Sequence, residues 1–150
     1  MALIQRMDHV GITVRDLDTA VTFFLGLGLE LDGRTFIEGE FLETVTGIPD
    51  ARTEIAMLRA PDGGAVELSR FVRPESPGGS PTALANEVGI RTIAFEVEDV
   101  DAAVERAASL GCGLVGGIGD FADWRMAYIR GPEGIVVALA QRLSADSISG

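Results

Sequence analysis

One unit of sequence occurs twice in this chain, and that repetition limits the fold more than any other feature. Met7-Asp8-His9-Val10-Gly11-Ile12-Thr13-Val14-Arg15-Asp16-Leu17-Asp18 alternates apolar and polar residues, then runs into acids that suit a helix start. A shift of 83 positions lays it on Thr92-Ile93-Ala94-Phe95-Glu96-Val97-Glu98-Asp99-Val100-Asp101, with Val14 on Val97, Asp16 on Asp99 and Asp18 on Asp101. The match continues without a gap through Ala20 on Ala103, Val21 on Val104, Leu27 on Leu110, Gly28 on Gly111 and Leu31 on Leu114. Later in each copy, Arg59-Ala60-Pro61-Asp62-Gly63 matches Arg130-Gly131-Pro132-Glu133-Gly134 at an offset of 71, and each turn leads into an apolar strand. Self-similarity of this kind marks a repeated supersecondary unit, the first copy longer by about a dozen residues between helix and turn.

The elements follow from local pattern. Arg6 to Val14 alternates, with Val10, Ile12 and Val14 on one face and His9, Gly11 and Thr13 on the other. Asp16 or Asp18 caps a helix whose apolar stripe is Leu17, Ala20, Val21, Phe24 and Leu25, stopped by Gly26 and Gly28. Leu29 to Phe36, Arg52 to Leu58 and Ala65 to Phe71 read as strands. Glu38 to Gly47 has no counterpart in the second copy; Phe41, Leu42 and Val45 give it a short stripe that suits a lid-like helix or loop. In the second copy the expected elements are strand Gly89 to Val97, helix Asp99 to Leu110, and strands Gly113 to Gly117, Trp124 to Arg130 and Ile135 to Arg142.

The fold class this predicts is α+β: tandem βαβββ modules over 1–71 and 88–142, a Pro/Gly-rich linker over 72–87, and a polar tail over 143–150. Helices pack outside, and the inner faces curl into a barrel-like mixed sheet around a central cavity. The inner face of the first module carries His9, Gly11, Thr13 and Glu67; that of the second carries Thr92, Ala94, Glu96 and Ala138. A concave sheet lined with small and polar groups suits a small-molecule ligand.

Charge narrows the partners. A net charge of −11 repels phosphate backbones and points away from nucleic acid. It suits a cationic ligand, or serves solubility alone. Hydrophobic residues make up 47% of the chain, enough for a core, but no run reaches membrane-spanning length. The single cysteine, Cys112, excludes a disulfide framework and stands where Leu29 does in the first copy, so it reads as a small buried hydrophobe. The expected location is the cytoplasm.

Glu67 is the most unusual residue, a carboxylate between Val66 and Leu68 in an apolar strand. It serves as a proton acceptor facing the cavity, or as a salt-bridge partner of Arg52. His9, the only histidine, is a cavity base or ligand, or is simply hydrogen-bonded within the sheet. Glu96 faces the cavity or ends its strand in solvent. Trp124, Arg125, Tyr128 and Phe41 line or cover a pocket, Arg125 taking an anionic group, or else pack as core and surface.

Motif, order and duplication together resemble the vicinal oxygen chelate superfamily, the glyoxalase/bleomycin-resistance/dioxygenase group. The residues carrying the resemblance are Asp8-His9-Val10-Gly11-Ile12-Thr13-Val14, Val66-Glu67-Leu68, Ile93-Ala94-Phe95-Glu96-Val97 and Arg130-Gly131-Pro132-Glu133-Gly134, and it spans Met7 to about Arg142. The resemblance implies a divalent metal held by a His on each unit's first strand and a Glu on its last. His9 and Glu67 match that pattern, whereas Thr92 and Ala138 replace the second pair. It further implies isomerase, epimerase or lyase chemistry on a small carbonyl compound, with Glu67 as base and His9 as orienting or electrophilic group. The alternative is metal-free binding of a small molecule or cationic antibiotic. The duplicated sheet edges and the family pattern suggest a homodimer.

Overall fold

The structure is a computed structural model, and it describes residues 2–144. Of the tail expected over 143–150, the part from 145 onward lies outside the described residues. The chain divides into two compact units, 1–78 and 79–150.

In the first unit, β1 (His9–Thr13) leads into α1 (Leu17–Gly26), then β2 (Glu30–Glu38), α2 (Glu40–Thr46), β3 (Arg52–Arg59) and β4 (Ala65–Arg73). The sheet order is β1-β4-β3-β2, with β1 parallel to β4 and the other pairs antiparallel. The parallel pairing forces β1 to return across the sheet, and α1 makes that crossing. The Asp16 carboxylate accepts from the Thr19 backbone N–H at 3.0 Å and caps α1. Leu17, Ala20, Val21, Phe23 and Phe24 of α1 are buried, over buried Ala56, Leu58, Val66 and Leu68 of β3 and β4. Phe23, not Leu25, completes the stripe. At about 100° per residue these five fall in an arc of about 160°, and Leu25 lies about 40° outside it.

The second unit repeats the plan with β5 (Ile93–Glu96), α3 (Val100–Ser109), β6 (Gly113–Leu114), β7 (Gly119–Phe121), β8 (Trp124–Arg130) and β9 (Val136–Arg142). The order is β5-β9-β8-β6, with β7 also paired to β8. Asp99 caps α3 through the Ala102 N–H at 3.1 Å, the counterpart of Asp16. The registers repeat too. Val10 stands beside Val66 and Gly11 beside Glu67 in the first unit; Ile93 stands beside Val137 and Ala94 beside Ala138 in the second. The fold is thus α+β with two mixed sheets, as the repeat implied.

β1 begins at His9, not Arg6, and two boundaries of the second unit moved by three residues or more. β5 starts at Ile93, not Gly89, and Val88 and Ile90 are exposed; β9 begins only at Val136 and pairs with β5 from Val137, so residues 89–91 have no strand to pair with. The strand expected over 113–117 ends at Leu114, and the chain re-forms β7 further along β8. Within the first unit Arg15 donates to the carbonyls of Ser76 and Pro77, and within the second Arg130 donates to those of Pro81 and Ala83. Each arginine thereby fastens its own side of the Gly78–Gly79 division.

Candidate functional site

Cross-strand pairing sorts the side chains by face. In the first unit, His9, Gly11 and Thr13 of β1 share the face away from α1 with Ala65, Glu67 and Ser69 of β4 and with Ile55 and Met57 of β3. His9 opens β1, and Glu67 lies one step diagonal to it, beside Gly11. Because Gly11 has no side chain, the space before Glu67 stays open; a Cβ there would meet nothing within 4 Å.

The His9 ring joins two carboxylates. Its Nδ1 is 2.7 Å from Asp8 Oδ2, a hydrogen bond, and its Nε2 is 3.7 Å from Glu67 Oε2. The side chains of His9 and Glu67 are 36% and 26% exposed, so the pair is reachable yet partly shielded from water. Asp8 also receives Arg6 Nη2 at 3.2 Å. The bond from His9, followed by the charge of Arg6, holds the Asp8 carboxyl below the usual aspartate range. Arg52 is not the partner of Glu67; it pairs with Glu38 at 2.8 Å and lies over the Phe36 ring.

In the second unit, Thr92 sits just before β5, half-buried, and Ala138 is buried in β9 beside Ala94. They stand in register where His9 and Glu67 stand in the first unit, and neither offers a carboxylate or imidazole. Glu96 ends β5 beside Ala140 and is exposed. Trp124 and Tyr128 share a face of β8 with Met126, opposite Arg142, Ala138 and Ala140 of β9; Arg142 stacks on Trp124 at 4.2 Å. Arg125 points to the other face, beside Gln141. There it pairs with Asp120 at 2.8 Å and Asp101 at 3.4 Å, and helps line a cleft of about 540 Å³ with Glu98, Asp99, Asp101 and Gln141. Phe41 lies on α2 and is exposed, while its neighbour Leu42 is buried. Cys112 is half-buried, and burial pushes its thiol up, away from the reactive thiolate.

Among the described residues, a divalent metal finds too few donors. His9 Nε2 and Glu67 converge, but among the described residues no group of three or more His, Cys, Asp or Glu is placed to hold an ion. A catalytic site needs about three protein ligands and an open position. The described residues, with two such donors in the first unit, do not fit a resident metal.

Asp8 is the residue that sequence reasoning passed over. Neighbours on a strand point to opposite faces, which would separate Asp8 from His9. β1 begins only at His9, so Asp8 lies before the strand and escapes the alternation. The signal available was an acid directly preceding the sole histidine.

Comparison with known proteins agrees with the resemblance. A profile of the Glyoxalase/Bleomycin resistance protein/Dioxygenase superfamily matches residues 6–139. The chain belongs to that superfamily. It is similar to the crystal structure of a glyoxalase family protein from Bacillus cereus, at 42% identity over 96% of this chain and 99% of that one, with a TM-score of 0.90. Two more distant structures show the shared fold: a glyoxylase/bleomycin resistance protein/dioxygenase domain from Frankia (18% identity, 98% and 99% covered, TM-score 0.71) and a glyoxalase/dioxygenase from Nostoc punctiforme (19%, 93% and 92%, 0.67). No curated protein sequence matches. Among the described residues, no helix is long and apolar enough to cross a membrane.

Proposed function

We propose that this protein is an enzyme acting on a small carbonyl compound, moving a proton at the carbon beside the carbonyl. Glu67 is the proton acceptor and His9 orients the substrate. The observation that carries this reading is the convergence of His9 Nε2 and Glu67 Oε2, 3.7 Å apart on an open face, with Gly11 leaving room between them and the ligand. The reaction class is isomerisation, epimerisation or lyase chemistry of the kind that begins with that proton transfer. Since the donor set does not fit a resident metal, no step runs through one.

Deuterium exchange tests it. A panel of small 2-hydroxy and 2-oxo carbonyl compounds is incubated with the protein in heavy water containing a chelator, and loss of the C–H signal is followed by NMR. Exchange is expected with wild type and is expected to fall by a factor of about 100 or more in Glu67→Gln. Exchange that needs added divalent metal would overturn the metal-free mechanism. No exchange under either condition would overturn the enzyme reading.

One observation favours a second reading. Thr92 and Ala138 leave the second unit without an acid or base at the matched positions, which suits a protein that only binds. With a net charge of −11, the ligand would be cationic, as for a drug-sequestering protein. Protection of cells against a cationic antibiotic, without its chemical change, would establish that role.

The working form is a homodimer in the cytoplasm. Edge strands β1 and β2 support the first part, each leaving one side of its backbone unpaired within the first unit's sheet. A single free cysteine is in keeping with a reducing compartment. Sedimentation velocity reads the oligomer directly, and a monomer at micromolar concentration would refute it.

A further inference from the structure

We propose that Asp8 is a positioning residue that fixes the tautomer of His9, holding the ring proton on Nδ1 so that Nε2 presents a bare lone pair on the side of Glu67. The argument is geometric. A carboxylate accepts and cannot donate, so the 2.7 Å contact between Asp8 Oδ2 and His9 Nδ1 requires the proton on Nδ1. The other side agrees. Nε2 and Glu67 Oε2 are 3.7 Å apart, beyond hydrogen-bond distance, so no bond to Glu67 calls for a proton on Nε2. Two acceptors at that spacing suit a ligand that brings a donor.

Asp8 is suited to the task. It precedes β1, free of the alternation that would turn it from His9, and Arg6 at 3.2 Å holds its carboxylate in place. The second unit has no such arrangement, because Arg91 and Thr92 occupy the positions of Asp8 and His9.

The consequence concerns the ligand. With a bare Nε2, His9 accepts rather than donates, so it orients a group and does not polarise a carbonyl oxygen. The ligand then turns a hydrogen-bond donor toward His9 Nε2, beside Glu67. This part rests on the enzymatic reading above; the tautomer does not.

His9 is the sole histidine, so a long-range nitrogen–proton correlation spectrum of nitrogen-labelled protein shows its ring without assignment. The spectrum is taken well above the usual histidine pKa of about 6.5. The expected result is Nδ1 of the protonated type and Nε2 of the bare type. Asp8→Ala is expected to move the ring to the Nε2–H form that free neutral imidazole favours, and to slow substrate exchange by about tenfold or more. A wild-type ring protonated on Nε2, alone or together with Nδ1, would overturn the proposal. So would an unchanged tautomer in Asp8→Ala. The wild-type spectrum decides even if the variant misfolds. A bare Nε2 in a protein that exchanges no substrate would sink the enzymatic reading and leave the role of Asp8 standing.

Discussion

Glu54 sits between two guanidiniums, Arg34 Nε at 2.9 Å and Arg70 Nη2 at 3.3 Å, with its side chain only 13% exposed. Arg34 reaches on to Asp18 of α1 at 2.7 Å, so the chain of charges ties the helix to the sheet. The bond from Arg34 leads in holding the Glu54 carboxyl below the usual glutamate range. Removing the carboxylate takes away the anion that Arg34 and Arg70 share and leaves Arg34 to Asp18. Glu54→Ala should therefore destabilise the fold by about 1–2 kcal/mol, between the cost expected for an exposed pair and a buried one, as read by urea denaturation. A loss under 0.3 kcal/mol would show that solvent screens the whole ladder. The same scale shows where sequence reading stops. Glu67 stood out because a carboxylate between Val66 and Leu68 demands a reason, and that reason needs only neighbours in sequence. Its partner was not readable, since β-register decides whether Arg52 or His9 comes near. Arg125 illustrates the same limit: one step along β8 from Trp124, it faces α3 and its acids, away from the face that carries Ala138.

The turns before β4 and β9 show what repetition hides. Gly63 and Gly134 are equivalent and both have positive φ, 94° and 84°. The first closes through Gly63 N–H to Ala60 O at 2.9 Å, the second through Gly134 N–H to Gly131 O at 3.2 Å. Either glycine replaced by alanine strains the backbone by about 1–2 kcal/mol. The surroundings differ. A Cβ at Gly63 meets nothing within 4 Å, whereas one at Gly134 would come within 2.4 Å of the Pro81 backbone. Gly134→Ala should lower the denaturation midpoint much more than Gly63→Ala, because it also dislodges the segment that Arg130 holds. Equal losses would mean that the Pro81 segment yields freely. The turns themselves were plain in the sequence, since Pro-acid-Gly before an apolar run has one common reading. The contact at Pro81 was not, because it joins residues 53 apart. The helices were likewise readable from Asp caps and stripes, whereas β7 was missed: Gly119–Phe121 has no pattern of its own and is a strand only because β8 has a free edge there.

Charge acts on the whole molecule in two opposing directions. At neutral pH the excess of acids repels itself, and lowering the pH toward the isoelectric point near 4.4 relieves that repulsion. Against this, Asp8, Asp16, Glu54 and Asp120 have carboxyls held below their ordinary ranges by hydrogen bonds and arginines. A carboxyl whose pKa is lower folded than unfolded lends stability above its unfolded value, about 3.9 for Asp and 4.3 for Glu, and loses it as pH falls through the folded value. The urea midpoint should therefore rise slightly from pH 7 to about 5 and drop below about pH 4. Added salt should raise the midpoint at pH 7 by screening the repulsion. Glu54→Gln should begin lower at neutral pH and fall less steeply in acid, because one depressed carboxyl no longer titrates. A midpoint that kept rising down to pH 3 would mean that repulsion outweighs every one of these paired carboxylates.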